Sequence, residues 1–213
     1  MNACVIIPAR YQSSRFPGKP LVEILGKPMI LWVSEIAEKA VGKDNVFVAT
    51  DDIRISNIVS ENGYNYILTS ESSLTGTDRV AEASSTLDYE IFVNVQGDEP
   101  LVLPKDIITC IRQKELHPDC VINAYNDINL NQDCRDINIP KVITNESDFL
   151  VYISRSLIPG SKDLNLKPKN YKKQVCIYGY NSLELKKFLE FGRKSYLEVY
   201  EDIEILRFLE LKT

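Results

Sequence analysis

The sequence predicts an α/β fold in which a mostly parallel sheet is flanked by helices. Strand-like and helix-like segments alternate, with short connections, over the first two-thirds of the 213 residues, an order typical of parallel α/β domains. The first strand-like run, residues 3–7, contains only small or apolar residues, which is typical of a strand covered on both faces. A hydrophobic content of 44% and a charged content of 26% are ordinary for a globular domain. We therefore predict one domain over residues 1–213.

The elements of the first two-thirds follow from local patterns. Pro8 and Pro17 lack a backbone donor, so the chain is expected to leave the first strand at Pro8 and form a loop. Pro28 marks the start of a helix, because Ile30 and Val33 begin a helical spacing of apolar residues. The later elements are a strand at 45–50, a helix opened by Asp51 and Asp52 and closed at Gly63, a strand at 66–68, a helix after Thr77, a strand at 90–95, a helix at 103–115 and a strand at 121–124.

The last third has a different organisation. Two short apolar runs joined by polar residues 145–148 predict a hairpin. The predicted elements are hairpin strands at 141–143 and 149–153, a lysine-rich loop or flap at 161–173, a strand at 175–180, a helix through Phe191 that begins with a capping box of Asn181 and Glu184, and a final helix from about Leu197 with Ile203, Leu206 and Leu209 on one face.

Composition argues against several classes of function. The net charge of −5 disfavours a general nucleic-acid-binding surface. No apolar run approaches the roughly 20 residues of a membrane-spanning helix, and the N-terminus does not have the pattern of a signal peptide. The five cysteines are never spaced C-x-x-C and are expected to be reduced thiols of a cytoplasmic protein. The only histidine, His117, is expected at the surface, which disfavours histidine-based catalysis.

Residues 8–20 place three cations, Arg10, Arg15 and Lys19, directly after the first strand. The loop has one glycine and lacks both G-K-[ST] and G-x-G-x-x-G, so it is neither a Walker loop nor a dinucleotide fingerprint. Backbone amides and mobile positive charges at a strand-to-helix turn would bind a triphosphate and stabilise a departing pyrophosphate. From spacing alone, a solvated basic loop is an equally good interpretation.

The stretch VNVQGDEP, residues 93–100, ends a buried strand with two acids and a proline. A carboxylate at the carboxyl edge of a parallel sheet, facing a cationic loop, is suited to hold Mg²⁺ against phosphate oxygens. In an extended chain Glu99 would point away from the site, so Asp98 is the predicted metal ligand. The structural alternative is a turn formed by Gly97 and Asp98.

The stretch LTGTDR, residues 74–79, combines a glycine, a helix-capping hydroxyl and the charges of Asp78 and Arg79. The backbone groups of such a turn can contact the edge of a base. An ordinary cap with an ion pair inside the helix is the simpler interpretation.

Together these stretches resemble the 3-deoxy-D-manno-octulosonate cytidylyltransferases, or CMP-Kdo synthetases. The motifs that carry the resemblance are IIPARYQSSRFPGKPL, ILGKPMI, VFVATDD, TGTDRVAEA, IFVNVQGDEPLV, PKVI, LVYISRSLIP and CIYGY, in the family's order over most of residues 4–207. The resemblance implies a Rossmann-like nucleotidyltransferase fold and a homodimer, with a hairpin and dimerisation subregion at about residues 135–180. It also implies that CTP and an acidic 3-deoxy sugar react with Mg²⁺ as cofactor, releasing pyrophosphate, in lipopolysaccharide or capsule biosynthesis.

The resemblance assigns roles to the residues that match these motifs. It implies in-line attack by the anomeric hydroxyl of the sugar on the α-phosphorus of CTP, which needs no protein nucleophile. The residues implied in the nucleotide site are Ala9, Arg10, Arg15, Lys19, Gly76, Thr77, Arg79 and Gln96. Those implied on the sugar side are Gln96, Arg155, Gln174, Tyr178 and Glu204. Arg10, Lys19 and Asp98 are the implied catalytic residues, and Asp98 is the implied metal ligand.

The sequence departs from the family pattern at three places. Gln174 stands where the family has a histidine before I-Y-G-Y, and Ile205 stands where its late helix has a polar residue. Both are expected on the sugar side, so they leave the identity of the acid sugar open. Family members also continue, past the position of Thr213, into a segment with a further metal-binding aspartate. This difference is interpreted either as a truncation or as a metal held by fewer carboxylates, and Asp51 and Asp52 are not favoured as replacements.

Three functional hypotheses follow. The first is transfer of the cytidylyl group from CTP to 3-deoxy-manno-octulosonate (Kdo). The second keeps this chemistry but changes the acceptor to another acidic sugar, such as 8-amino-Kdo or a nonulosonate. The third is a catalytically weak paralogue that binds nucleotide as a regulatory module. A dinucleotide-dependent dehydrogenase is disfavoured because the glycine fingerprint is absent.

Overall fold

A computed structural model describes residues 2–12, 16–129, 131–163 and 170–211. The strands are β1 (Ala3–Ala9), β2 (Glu23–Ile24), β3 (Lys27–Pro28), β4 (Val46–Thr50), β5 (Asn65–Leu68), β6 (Ile91–Val95), β7 (Ile122–Asp127), β8 (Lys141–Thr144), β9 (Leu150–Ser154) and β10 (Lys172–Tyr180). The helices are α1 (Met29–Val41), α2 (Ile53–Glu61), α3 (Gly76–Ser84), α4 (Pro104–Leu116), α5 (Ser182–Glu190), α6 (Tyr196–Glu201) and α7 (Leu206–Leu211). The predicted α/β class is confirmed.

The main sheet has a parallel centre and an antiparallel extension. Its strand order is β5-β4-β1-β6-β10-β8-β9, and β7 also pairs with β10. Strands β5, β4, β1 and β6 are parallel, whereas β10 is antiparallel to its neighbours β6, β7 and β8. The loops that follow β1, β4 and β6 therefore leave the sheet at one common edge, as the alternation of elements predicts.

The sheet separates two hydrophobic cores. Strand β1 is buried along its whole length, and its residues alternate between the two cores, with Val5 and Ile7 on one side and Cys4 and Ile6 on the other. Apolar residues of α1, α2 and α4 complete the first core, and those of α3, α5 and α7 complete the second. This arrangement fixes the strand ends that carry the polar loops.

Three predictions about elements need correction. Strand β1 does not end at Pro8 but continues to Ala9. Pairing with β6 stops at Ile6 and Pro8 pairs only with Ala49 of β4, so the strand has a partner on one side only at the position where proline lacks a donor. The loop predicted at 161–173 ends earlier, since residues 172 and 173 belong to β10, and residues 164–169 lie outside the described residues. The final helix is divided into α6 and α7, because Asp202 ends α6 in a left-handed conformation with φ 50°.

Other local predictions are confirmed. Strands β8 and β9 form the antiparallel hairpin, and helix α5 begins with the capping box of Asn181 and Glu184. His117 is exposed at the end of α4. Within the described ranges, every helix is too short or too polar to cross a bilayer.

Candidate active site

A cavity of about 660 Å³ opens at the edge of the sheet where β1 and β6 end. It extends from the loops after these strands to the beginning of α3, β10 and the segment between α6 and α7. The predicted site residues that line it are Ala9, Arg10, Lys19, Gly76, Arg79, Gln96, Asp98, Arg155, Gln174, Tyr178 and Glu204. Thr77 is buried beside it, and Arg15 lies outside the described residues. The structure thus brings residues predicted for the nucleotide site and residues predicted for the sugar side into one cavity.

The Pro-Gly turn closes the basic loop after β1. The Gly18 amide donates to the Tyr11 carbonyl at 2.8 Å, and Gly18 has φ 73°, a conformation that favours glycine. A Cβ at Gly18 would lie 3.1 Å from the Tyr11 ring, whose face is covered by the Arg54 guanidinium at 3.3 Å. The turn places Lys19 beside the loop that follows β6.

The two loops meet in an ion pair between the Lys19 ammonium and the Asp98 carboxylate. Gly97 permits this approach, because a Cβ there would lie 3.0 Å from the Pro8 carbonyl oxygen and 3.3 Å from Ile30 Cδ1. The side chains of Lys19 and Asp98 are 43% and 45% exposed, so both charges remain accessible from the cavity. The expectation that these loops share one crevice is confirmed.

Glu99 also lines the cavity, contrary to the expectation that it points away. The chain turns instead of staying extended, since the Glu99 amide donates to the Gln96 carbonyl at 3.1 Å. Burial and the neighbouring charge of Asp98 raise the pKa of Glu99. The sequence suggested one carboxylate at this edge, and the turn brings two.

The N-terminus of α3 is bound by Glu204. Its carboxylate accepts hydrogen bonds from the Gly76 amide at 3.0 Å, the Thr77 amide at 2.7 Å and the Thr77 hydroxyl at 2.6 Å. A Cβ at Gly76 would lie 3.3 Å from both side-chain atoms Nε2 and Oε1 of Gln96 and 3.4 Å from Glu204 Oε1. Glu204 therefore shapes the cavity through α3, and Thr77 supports Glu204 from behind the cavity surface.

The simpler sequence interpretation expected Asp78 and Arg79 to form an ion pair within α3, and this expectation is wrong. Arg79 donates to Asp51 at 3.0 Å and contacts the Thr69 hydroxyl, whereas Asp78 pairs with Arg207. Helical neighbours one residue apart point in different directions, so each reaches a partner on another element. One oxygen of the Asp51 carboxylate, Oδ2, is thereby paired with Arg79.

Side chains of β10 form another part of the cavity surface. Gln174 Nε2 donates to the Tyr178 hydroxyl at 3.2 Å and to Asn123 Oδ1 at 3.4 Å. Burial raises the pKa of Tyr178 well above its ordinary value, and burial with the nearby charge of Glu99 raises the pKa of Cys176 to about 12. These groups are neutral near pH 7 and suited to hydrogen bonding. Ile205, by contrast, is buried in the second core and does not line the cavity, so its side chain lies apart from the other residues predicted for the sugar side.

Arg155 reaches the cavity from the end of β9. Its guanidinium donates to the backbone carbonyls of Glu201 at 2.5 Å, Ile137 at 3.0 Å and Asp202 at 3.1 Å. Lys194 and Asp202 also line this part of the cavity, and the sequence reasoning missed both. The sequence does show two adjacent cationic residues, 193 and 194, directly before the Ser195 capping box. This pattern does not reveal that Lys194 faces the cavity.

The donor set at the end of β6 is compatible with Mg²⁺. Mg²⁺ is commonly held by one or two carboxylates together with substrate phosphates and water. Asp98 and Glu99 supply carboxylate oxygens on the same cavity, beside the basic loop. Among the described residues there is no group of three or more acidic, histidine or cysteine side chains that could hold a metal without such a substrate.

Comparison with known proteins gives consistent matches over the whole chain. A family model described as Cytidylyltransferase matches residues 4–212. The 3-deoxy-manno-octulosonate cytidylyltransferase of Syntrophotalea carbinolica is 39% identical, with 99% of this chain and 87% of the relative covered. The mitochondrial enzyme of the same name from Arabidopsis thaliana is 40% identical, with 96% of this chain and 71% of the relative covered. The 8-amino-3,8-dideoxy-manno-octulosonate cytidylyltransferase of Shewanella pealeana is 40% identical, with coverages of 99% and 86%.

A solved structure supports the same relationship. The CMP:2-keto-3-deoxy-manno-octonic acid synthetase complexed with CTP superposes with a TM-score of 0.90 at 35% identity, covering 100% of this chain and 87% of that chain. Agreement of the family model, the relatives and the superposition extends over both halves of the fold. This chain therefore belongs to the cytidylyltransferase family and, within it, to the 3-deoxy-manno-octulosonate cytidylyltransferases.

Proposed function

We propose that this protein transfers the cytidylyl group of CTP to the anomeric hydroxyl of 3-deoxy-manno-octulosonate, giving CMP-Kdo and pyrophosphate. The observation that carries the proposal is the meeting of Lys19 and Asp98 in one cavity that also contains Gln96 and Tyr178. The names of the relatives and the superposed CTP complex support the same activity. The polysaccharide pathway is proposed from the family relationship.

The proposed reaction is a direct displacement at phosphorus. The anomeric oxygen forms a bond to the α-phosphorus, and the bond from that phosphorus to the bridging oxygen of the β-phosphate breaks. The electron pair of the broken bond leaves with pyrophosphate, and the hydroxyl proton is released. The high pKa of Cys176 and the exposed position of His117 support a mechanism without a protein nucleophile.

Arg10 and Lys19 are proposed to bind the triphosphate and to offset the charge that develops on the leaving pyrophosphate. Such charges act most strongly when they are positioned before the reaction, and the Gly18 turn positions Lys19. Asp98, with Glu99 beside it, would hold Mg²⁺, which supplies charge neutralisation on the phosphate oxygens when bound. Arg15 is proposed to join this group on the basis of its motif alone.

The remaining motif residues are proposed to select the substrates. The N-terminus of α3 lies at the cavity. The nucleotide pocket would therefore be formed by Ala9, Gly76, Thr77 and Arg79. The sugar would contact Gln96, Arg155, Gln174, Tyr178 and Glu204. The proximity of Gln96 to both Gly76 and Glu204 supports its placement between nucleotide and sugar.

The proposed function is tested by pyrophosphate release with CTP, Mg²⁺ and Kdo. Omission of any one component should abolish release, and replacement of CTP by ATP, GTP or UTP should reduce it strongly. Tight binding of CTP without release on any acceptor would instead favour the regulatory nucleotide-binding module. Full activity without a divalent cation would overturn the metal proposal alone.

A second candidate acceptor is the 8-amino sugar. Relatives named for 8-amino-3,8-dideoxy-manno-octulosonate are as similar as those named for Kdo, at 40% identity for Shewanella pealeana. The two acceptors differ by an amine in place of a hydroxyl, so the ratio of their kcat/KM values distinguishes them. We expect Kdo to be preferred, and a higher kcat/KM with the amino sugar would reassign the acceptor.

We further propose that the protein acts as a homodimer in the cytoplasm. The exposed apolar residues of the second half of the chain support the homodimer, and they include Phe149, Val151 and Tyr200. The five cysteines are all unpaired thiols, which supports a reducing compartment.

A further inference from the structure

The cavity contains a carboxylate that lies between two cations. Arg155 Nη2 lies 3.8 Å from Asp202 Oδ2, and Lys194 Nζ lies 3.7 Å from Asp202 Oδ1. Both separations exceed the roughly 2.7–3.2 Å of an N–H···O hydrogen bond. All three residues line the cavity, and the Asp202 side chain is 66% exposed. The Asp202 carboxylate therefore lies near both cations without binding either tightly.

The two cations differ in how firmly they are held. The Arg155 guanidinium donates to three backbone carbonyls, at 2.5, 3.0 and 3.1 Å, which fix its position. In the described part of the chain, the contact of Lys194 Nζ is the one to Asp202 at 3.7 Å. An ammonium group has three donors, so those of Lys194 are available to a ligand in the cavity.

The other carboxylates nearby are already hydrogen bonded. Glu204 binds the amides of α3, Glu201 accepts from the Ser154 hydroxyl at 2.6 Å and the Arg155 amide at 2.8 Å, and Glu198 is buried with Arg207. Among the described charged groups on this side of the cavity, Lys194 is thus held least firmly, since its partner, the exposed Asp202 carboxylate, lies 3.7 Å away. An ammonium group that is available in this way suits a ligand with a carboxylate, with which it can form a charge-assisted hydrogen bond.

We propose that Lys194 binds the carboxylate of the sugar substrate and that Asp202 competes for the same ammonium group in the free enzyme. This inference rests on the proposed function and makes Lys194 a determinant of the preference for acidic sugars. A substrate carboxylate within hydrogen-bond distance would replace a loose ion pair with a charge-assisted hydrogen bond. Arg155 would act beside it as a fixed positive charge.

The test measures dissociation constants of Kdo and of its C1 carboxamide by calorimetry, with CMP present and CTP absent so that no reaction occurs. Lys194→Gln should weaken binding of the acid roughly tenfold, the loss expected for one charged hydrogen bond, and leave binding of the amide unchanged. Asp202→Asn should strengthen binding of the acid, because it removes the carboxylate that competes for the Lys194 ammonium. Asparagine also tolerates the left-handed conformation at this position, so the backbone should be preserved. Lys186→Gln is the control, since Lys186 forms a similar 3.8 Å pair on α5 and does not line the cavity.

The outcomes separate this inference from the proposed function. Equal losses for acid and amide in Lys194→Gln, or no loss for the acid, would overturn the role of Lys194. A wild-type protein that binds acid and amide equally would overturn it as well. Selective binding of the acid that depends on Lys194, without pyrophosphate release from CTP, would support the inference and reject the proposed catalytic activity.

Discussion

Lys19 and Asp98 are 79 positions apart in the sequence, yet their charged groups are in contact in the cavity. Each side chain is more than 40% exposed, and exposed ion pairs typically contribute at most about 1 kcal/mol to the free energy of unfolding. The pair therefore contributes little to folding. Its position in the loops that follow two buried parallel strands suits the binding of phosphate and Mg²⁺ proposed above.

Asp98→Asn should abolish turnover without affecting the fold. The amide keeps the shape of the side chain but removes the charge that would hold Mg²⁺, and the exposed ion pair that it loses is weak. Pyrophosphate release should fall by at least a hundredfold, while the midpoint of thermal unfolding stays within a few degrees of the wild type. Near-normal turnover at saturating Mg²⁺ would contradict the metal assignment.

Gly76→Ala should reduce catalytic efficiency without reducing stability. A Cβ at this position would lie 3.3 Å from Gln96 and 3.4 Å from Glu204, so Gln96 must shift by a few tenths of an ångström and the space beside Glu204 is filled. Replacement of glycine by alanine where the backbone is compatible stabilises a protein by about 0.4–1 kcal/mol. We expect kcat/KM to fall about tenfold with an unchanged or higher unfolding temperature.

Gly160→Ala is the matched control for this prediction. A Cβ at Gly160 has no neighbour within 4 Å in the described structure, so kcat/KM should remain at the wild-type value. Equal kcat/KM values for the two variants would show that the position of Gln96 beside α3 does not limit catalysis.

At the scale of elements, a buried charge network joins α3, α6 and α7. The Arg207 guanidinium donates to Asp78 at 2.7 and 3.1 Å and to Glu198 at 2.7 and 2.8 Å, and it stacks 3.7 Å from the Phe188 ring. Arg207 is fully buried. Because Glu204 lies three residues before Arg207, the network also fixes the segment that binds the N-terminus of α3.

Arg207→Leu should destabilise the protein by about 3–5 kcal/mol, because it leaves two buried carboxylates without a counter-charge. Urea unfolding measures this difference. Lys186→Leu removes the exposed pair with Glu190 on α5 and should cost less than about 1 kcal/mol. A loss of less than 1 kcal/mol in Arg207→Leu would mean that Asp78 and Glu198 find other partners or take up protons at little cost.

The sequence predicts individual elements well where one local signal decides. Runs of β-branched residues mark β1, β4 and β6, and Asn181 with Glu184 marks the start of α5. The apolar residues after Leu197 keep a helical spacing and so predict one final helix. The left-handed residue Asp202 interrupts it, and the hydrogen bonds from α3 to Glu204, 127 and 128 positions away, stabilise that interruption. A local pattern contains no information about such a distant partner.

At the scale of the whole molecule, the parallel order of β1, β4 and β6 brings their following loops together, so the sequence could predict that Lys19 and Asp98 share a cavity. It could not predict the contributions of Lys194 and Asp202. Their position depends on how α6 packs behind β9, through hydrogen bonds of Glu201 to Tyr152 and Ser154. Which residues of packed helices line the cavity can thus be known only from the tertiary structure, whereas the positions of residues that follow strand ends can be predicted from the topology.

The molecule also has an exposed apolar surface on α6. On α6, Tyr196, Val199 and Tyr200 share one face and are 67%, 56% and 74% exposed. The neighbouring β9 is an edge strand, and exposed edges are commonly protected by association. We therefore predict a dimer that buries the α6 face, with a mass in light scattering of about two chains of 24.3 kDa.

Introducing charges on this face should separate the two copies. Val199→Lys combined with Tyr200→Lys places like charges opposite each other in a symmetric interface, so the mass should fall to that of one chain at micromolar concentration. Leu116→Lys is the control, because Leu116 is 69% exposed at the end of α4, a helix that packs on the other side of the sheet. A wild-type protein with the mass of one chain would contradict the dimer. A dimer that persists in the double variant would show that the copies associate through another surface, for which the free edge of β9 is the next candidate.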